Sequence, residues 1–153
     1  MADSIANICK GRFAHYSTLP AANDAIIMYM LKSAALEAHA TLVDYDDLAA
    51  LLAAANDEAD ATNYARKTIT ASVTVTVDDT NNRVDVDIPD QVFTNLGGAT
   101  NNTIGMVGTG YDSDTTGGGD ASILPMTFHD ATLTTDGSTV TVQIAAAGLA
   151  RAA

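Results

Sequence analysis

Residues 71–89, ASVTVTVDDTNNRVDVDIP, hold two runs of strict alternation on either side of a turn. Val73, Val75 and Val77 alternate with Thr74 and Thr76, and Val84, Val86 and Ile88 alternate with Asp85 and Asp87. Successive side chains on a strand point to opposite faces, so each run has one apolar and one polar face. Valine, isoleucine and threonine also suit the pleated backbone. Between the runs, DDTNNR supplies Asp and Asn, which tolerate the positive φ of tight turns. The pattern predicts an antiparallel hairpin with six apolar side chains buried and Asp85 and Asp87 hydrated. A one-residue slip would expose all six, so the register is strongly specified.

The same grammar runs to the C-terminus. Strands are expected at Gln91–Asn95, Thr103–Tyr111, Ala121–His129, Ala131–Thr134 and Ser138–Ala145, parted by GGATNN, DSDTTGGGD and TTDGS. Turn signals every eight to twelve residues suit a sandwich or barrel. Upstream, DAIIMYMLKSA is apolar on both parities, as in a strand covered on both faces or one touching a partner. CKGRFAHYST (Cys9–Thr18) alternates roughly and reads as a strand ending near Leu19. Helical spacing shows in DYDDLAALLAAANDEA, where Leu48, Leu51, Leu52 and Ala55 share a face. Asp46 or Asp47 caps its start and Asn56 sits near its end. The expected architecture is mainly β: an antiparallel β-sandwich or barrel-like module with one short α-helix at about 46–56. Residues 1–20 form an N-terminal arm or first strand, and 21–153 a single domain with a helical insertion near 44–58.

Composition narrows the function classes. The 153 residues are 47% apolar but only 5% aromatic, with no tryptophan, so the core is built from Val, Ile, Leu, Met and Ala. The net charge of −12 argues against nucleic acid, which needs a basic footprint, and against an anionic membrane. Charge is unevenly spread: residues 1–35 net +1, residues 36–67 −5 and residues 68–153 −8. A slightly basic N-terminal stretch beside an acidic body invites pairing between copies. The apolar run Ala25–Leu31 is strand-sized, and no run approaches the roughly 18 residues of a membrane-spanning helix. The basic residues of MADSIANICKGR follow its weakly apolar part, the reverse of a signal peptide, so synthesis in the cytosol is expected.

Candidate chemistry is sparse. DSDTTGGGD places Asp112, Asp114, Thr116 and Asp120 around glycines as a calcium loop does, but Ile123 holds the position of the closing acid. A hydrated connecting loop is the simpler expectation. Asp78, Asp79, Asp85, Asp87 and Asp90 are numerous, but outward carboxylates are not perturbed into acid–base catalysts. His15, His39 and His129 have no ligand spacing. The lone Cys9 is expected to be a small buried hydrophobe, and Ser17, Ser33 and Ser122 lack a nucleophile-elbow context. No catalytic residue, metal or other cofactor is expected.

The strings YSTLPAANDAIIMYMLKSAALEAHATLVDYDDLAALLAAANDEADATNYARKTIT and VDDTNNRVDVDIPDQVF, with GYDSDTTGGGDASILPMTFHDATLTTDGSTVTVQIAAAGLARA, resemble the small virion structural proteins of long-tailed bacteriophages. The resemblance spans nearly the whole chain and implies a non-enzymatic part of the virus particle. It points to a capsid decoration (cement) or minor capsid protein that stabilises the shell, with a tail or fibre component in host attachment as the alternative. The implied partners are the major capsid protein and copies of the chain itself, as a homotrimer, and the implied location is the virion. The apolar strand Ala25–Leu31 and the tail IAAAGLARAA are the expected contacts between copies. Lys10, Arg12, Phe13 and Tyr16 are the expected reaching contact, since Arg and Tyr are favoured anchors. An ordinary first strand is the competing interpretation of the same segment.

Overall fold

A computed structural model describes residues 3–152. Strand residues outnumber helical ones, 38% to 14%, and every named strand pair is antiparallel, so the chain is a mainly β, sandwich-like module.

The centre is a five-stranded sheet. It is formed by β1 (Asp3–Ile5), β2 (Ala25–Lys32), β3 (Lys67–Ile69), β7 (Thr103–Asp112) and β8 (Ile123–Thr134), in the order β1-β8-β7-β2-β3. Over one face lie β4 (Thr74–Asp78) and β5 (Arg83–Asp87) with β10 (Ala150–Ala152), and the pair β6 (Gln91–Phe93) and β9 (Val140–Val142). Their Val86, Ile88 and Phe93 join Ile26, Met28 and Met30 of the central sheet in one core. Over the other face lie the short helices α2 (His39–Leu42) and α3 (Leu48–Ala53), where Leu42, Leu48 and Leu51 meet Ile27, Tyr29, Leu31 and Phe128. Covered from both sides, β2 buries both parities, which is why Ala25–Leu31 is continuously apolar. Its side chains are buried within the chain.

The hairpin pairs Val75 with Val86 and Val77 with Val84, with residues 79–82 as its turn. Burial fades toward the turn. Val86 and Ile88 are fully inside and Val75 is half-buried, but Val77 is 66% exposed because the ribbon outruns the layer beneath it. Val77 therefore departs from the six-residue buried face. Val75→Asp is expected to cost about 1–2 kcal/mol and Val77→Asp to stay within about 0.5 kcal/mol. Urea unfolding of the two variants measures that difference. Asp85 is not simply hydrated either: Arg83 Nε donates to it at 3.0 Å and Arg151 Nε at 2.7 Å.

The N-terminal stretch differs most from expectation. Cys9–Thr18 is not a strand but a 3-10 turn (Asn7–Cys9) followed by α1 (Phe13–Ser17). Cys9, Phe13 and Ser17 are its buried residues, spaced by four, which marks one side of a helical path. The strand at this end is Asp3–Ile5, paired with β8 at an edge of the central sheet. The predicted helix is present as α3, shorter than its pattern, with Asp47 Oδ1 accepting from Ala50 N at 2.7 Å as N-cap. Ala55, expected on its buried face, is exposed beyond its end. Ala121–His129 and Ala131–Thr134, expected as two strands, run on through Asp130 as β8.

The C-terminal tail also turns inward. Gly148, at φ +90, lets the chain approach so closely that a Cβ would lie 2.5 Å from Val86 O. Leu149 N then donates to Val86 O at 2.7 Å, Leu149 is buried, and β10 pairs with β5. Gly148 and Leu149 thereby pack within the fold, whereas Ala145, Ala146, Ala147 and Arg151 stay exposed. Ala153 lies outside the described residues.

Candidate functional site

Five of the seven cationic side chains are engaged within the molecule. Lys32 pairs with Asp57 and Asp60, Arg66 with Glu58 and Asp120, Arg83 with Asp78 and Asp85, and Arg151 with Asp85. Lys67 sits 4.6 Å over the Phe93 ring. Lys10 and Arg12 stand apart. Both are exposed on the turn between the 3-10 segment and α1, and among the described residues neither has an acidic partner. Lys10 Nζ donates only to Asn7 Oδ1 at 2.6 Å. Ile8, one of three exposed large apolar side chains among the described residues, lies just before that turn in the 3-10 segment, at 40% exposure.

The expected contact set is thus divided. Phe13 is 1% exposed and belongs to the core. Tyr16 is half-buried and stacks on Tyr111 at 4.7 Å between ring centroids. Tyr111 in turn donates to Asp24 Oδ2 at 2.8 Å, and burial with that carboxylate raises its phenol to about 12. Of the four, Lys10 and Arg12 are the exposed ones.

The Asp112–Asp120 loop spends its carboxylates on itself and on Arg66. Asp112 accepts from Asp114 N, and Asp114 accepts from Thr116 N and Oγ1. The Thr116 bonds hold the Asp114 carboxyl below its usual range. Asp120 takes both Arg66 terminal nitrogens, at 2.5 and 2.9 Å. Glycine permits the tight bend at Gly118, where φ is +78. Among the described residues no group of three or more His, Cys, Asp or Glu is placed to hold a metal. Cys9 is fully buried, lies 2.9 Å from Pro125 O, and burial raises its thiol to about 12, far from nucleophilic.

One constellation was hidden from the sequence. Ser4 Oγ lies 2.7 Å from His39 Nδ1, and His39 Nε2 lies 2.8 Å from Asp130 Oδ1. A neutral ring protonated at Nε2 satisfies all three groups: the serine donates to Nδ1 and Nε2–H donates to the carboxylate. The order hydroxyl–imidazole–carboxylate is that of an acyl-transfer triad. Here, however, it joins α2 to the edge strand β1 and its neighbour β8, and neither of the two clefts beside β1 takes in both Ser4 and His39. A nucleophile needs room for a carbonyl and donors for its oxyanion. The physical role this placement supports is a clasp on the edge strand. A second histidine, His129, completes the clasp from the opposite parity, with Nδ1 3.1 Å from Asp3 Oδ1 and Nε2 2.9 Å from Thr127 Oγ1.

Beside β1 opens a cleft of about 450 Å³ between the central sheet and the segment that follows β9. Met28, Met30, Leu133, Val142, Ile144 and Leu149 line it, and Asp3, paired with His129, stands at its rim. Asp3 is 63% exposed at the side chain. An apolar concavity with a few polar groups is the usual form of a binding site. Nothing in periodicity or composition marks it, because its lining comes from five separate stretches of chain. Comparison with protein-family models, with curated proteins and with solved structures finds no match to this chain.

Proposed function

We propose that the chain is a non-enzymatic structural protein of a long-tailed phage particle, bound to the shell as a capsid decoration or minor capsid protein. Its partners on this view are the major capsid protein and further copies of itself, and its place is the virion. One observation carries the proposal: in a molecule of charge −12, the two cations without an acidic partner among the described residues stand with an exposed Ile8 on one short surface segment, residues 8–12. Cations next to an apolar side chain make a docking point for an acidic surface, of the kind copies of such a chain offer one another. The virus-protein resemblance sets the particle context. The polar interior groups cross-link segments far apart in sequence, a use suited to a rigid module in a repeating lattice.

A lattice component works by many equal, modest contacts. About 1,600 Å² buried per copy is an ordinary specific interface, and attachment at several points raises occupancy beyond the single-site affinity. The experiment mixes purified protein with expanded capsids lacking it and, separately, with isolated tails. Saturable binding to capsids at hundreds of copies supports the shell role. Binding to tails alone, or a few copies per particle, overturns it in favour of the tail or fibre role.

A further inference from the structure

We infer that the Ile8–Lys10–Arg12 segment of one chain docks into the apolar cleft beside β1 of a second copy, with its cations at Asp3. The two surfaces are complementary in kind. The turn offers one exposed apolar side chain flanked by two cations whose acidic partners are absent among the described residues. The cleft offers an apolar floor, with Met28, Met30 and Leu149 already buried, beside the Asp3 carboxylate, whose side chain is 63% exposed. At about 450 Å³ it has space for an isoleucine side chain with the aliphatic stem of a neighbouring lysine or arginine.

The contact has to be made between copies. No residue of the turn lines the cleft of its own chain, and Ile8 remains exposed there. The central sheet keeps Asp3 fixed at the cleft through its pairing with His129 on β8. Turn and cleft are different patches on one molecule, so the contact is head-to-tail, and copies close into a ring when the rotation allows. A ring of three matches the oligomer expected for the chain. This inference rests on the proposed many-copy structural role only for its setting, and it is tested without capsids.

Sedimentation of the full chain measures the association directly. The wild type should form a discrete oligomer whose dissociation constant rises with salt, as screening weakens exposed charges. Arg12→Glu should weaken association at least tenfold with an unchanged melting curve, since Arg12 is exposed. Asp3→Arg should do the same, and the two together in one chain should restore it. Contact itself is read by oxidation of an equimolar mixture of Ile8→Cys and Ile144→Cys chains. A disulfide-linked dimer should form in the mixture and in neither chain alone, the native Cys9 being buried. A monomeric wild type, an Arg12→Glu chain that associates normally, or no cross-link in the mixture would overturn the contact. Capsid binding by a monomeric wild type would overturn it while leaving the shell role standing. Association and cross-linking without capsid binding would uphold it and remove the shell role.

Discussion

Replacing Arg66 with methionine is expected to lower the unfolding free energy by about 2–3 kcal/mol at pH 7, more than loss of the other ion pairs seen among the described residues. The guanidinium spends three nitrogens on two carboxylates: Nε and Nη2 on Glu58 at 2.8 and 2.6 Å, and Nη1 and Nη2 on Asp120. Glu58 is also the acceptor for Tyr64 Oη at 2.7 Å, and Tyr64 Oη accepts from Met30 N at 3.0 Å in the central sheet. Without the arginine, two carboxylates face each other over a partly buried site. The figure stands below that of a fully buried pair because the Asp120 side chain is 36% exposed and its share is screened by water. The pH dependence has a definite sign. The Arg66 bond holds the Asp120 carboxyl below its usual range. Its stabilisation is therefore complete above the unfolded carboxylate value near 4 and is lost as pH falls through the folded value. The deficit of Arg66→Met should narrow as pH drops below about 4. Urea unfolding of both proteins from pH 7 to pH 3 checks this, and a deficit that is absent at pH 7 or constant across the range would count against the network.

That network is invisible in the sequence for the same reason that other parts are. Arg66 and Asp120 are 54 residues apart, and Ser4 and Asp130 each reach His39 across 35 and 91. Spacing rules see neighbours on one element, not partners brought together by a sheet. What local rules do see came through. Strict alternation placed β4 and β5 in register, continuous apolarity marked β2 as covered on both faces, and Asp47 before Leu48 marked the start of α3. The N-terminal error has a specific cause. Cys9, Phe13 and Ser17 are four apart, and residues four apart also share strand parity, so a helical side of three buried residues passes for half of an alternating strand. The three-residue strands β1, β3 and β10 are too short to carry a period, and remote partners define them. Of the candidate site, the cations Lys10 and Arg12 were legible from the charge distribution, whereas the cleft awaited the fold.

Gly108→Ala is expected to cost about 3 kcal/mol, the high end for an added methyl group in a packed interior. Gly108 on β7 pairs with Tyr29 on β2. A Cβ built there would fall on the Tyr29 ring, 2.5 Å from Cζ and 2.8 Å from the hydroxyl. The ring has nowhere to go, being fully buried among Leu42, Leu48 and Leu51 beneath the helices. Its hydroxyl has no hydrogen-bond partner among the described residues. A buried hydroxyl with no partner loses its hydration without compensation, so Tyr29→Phe alone should raise stability by about 1 kcal/mol. Phenylalanine keeps the ring and so relieves little of the Gly108→Ala clash. Tyr29→Leu is the informative partner: alone it opens a cavity and costs about 2 kcal/mol. Combined with Gly108→Ala, the new methyl group occupies part of the space that the ring vacated. The double variant should then be more stable than the sum of the single losses by at least about 1 kcal/mol, a coupling characteristic of residues in contact. Chemical unfolding of the four proteins gives the cycle. Losses that simply add, or a Tyr29→Phe chain less stable than the wild type, would mean that the phenol is not sealed against Gly108 as the structure places it.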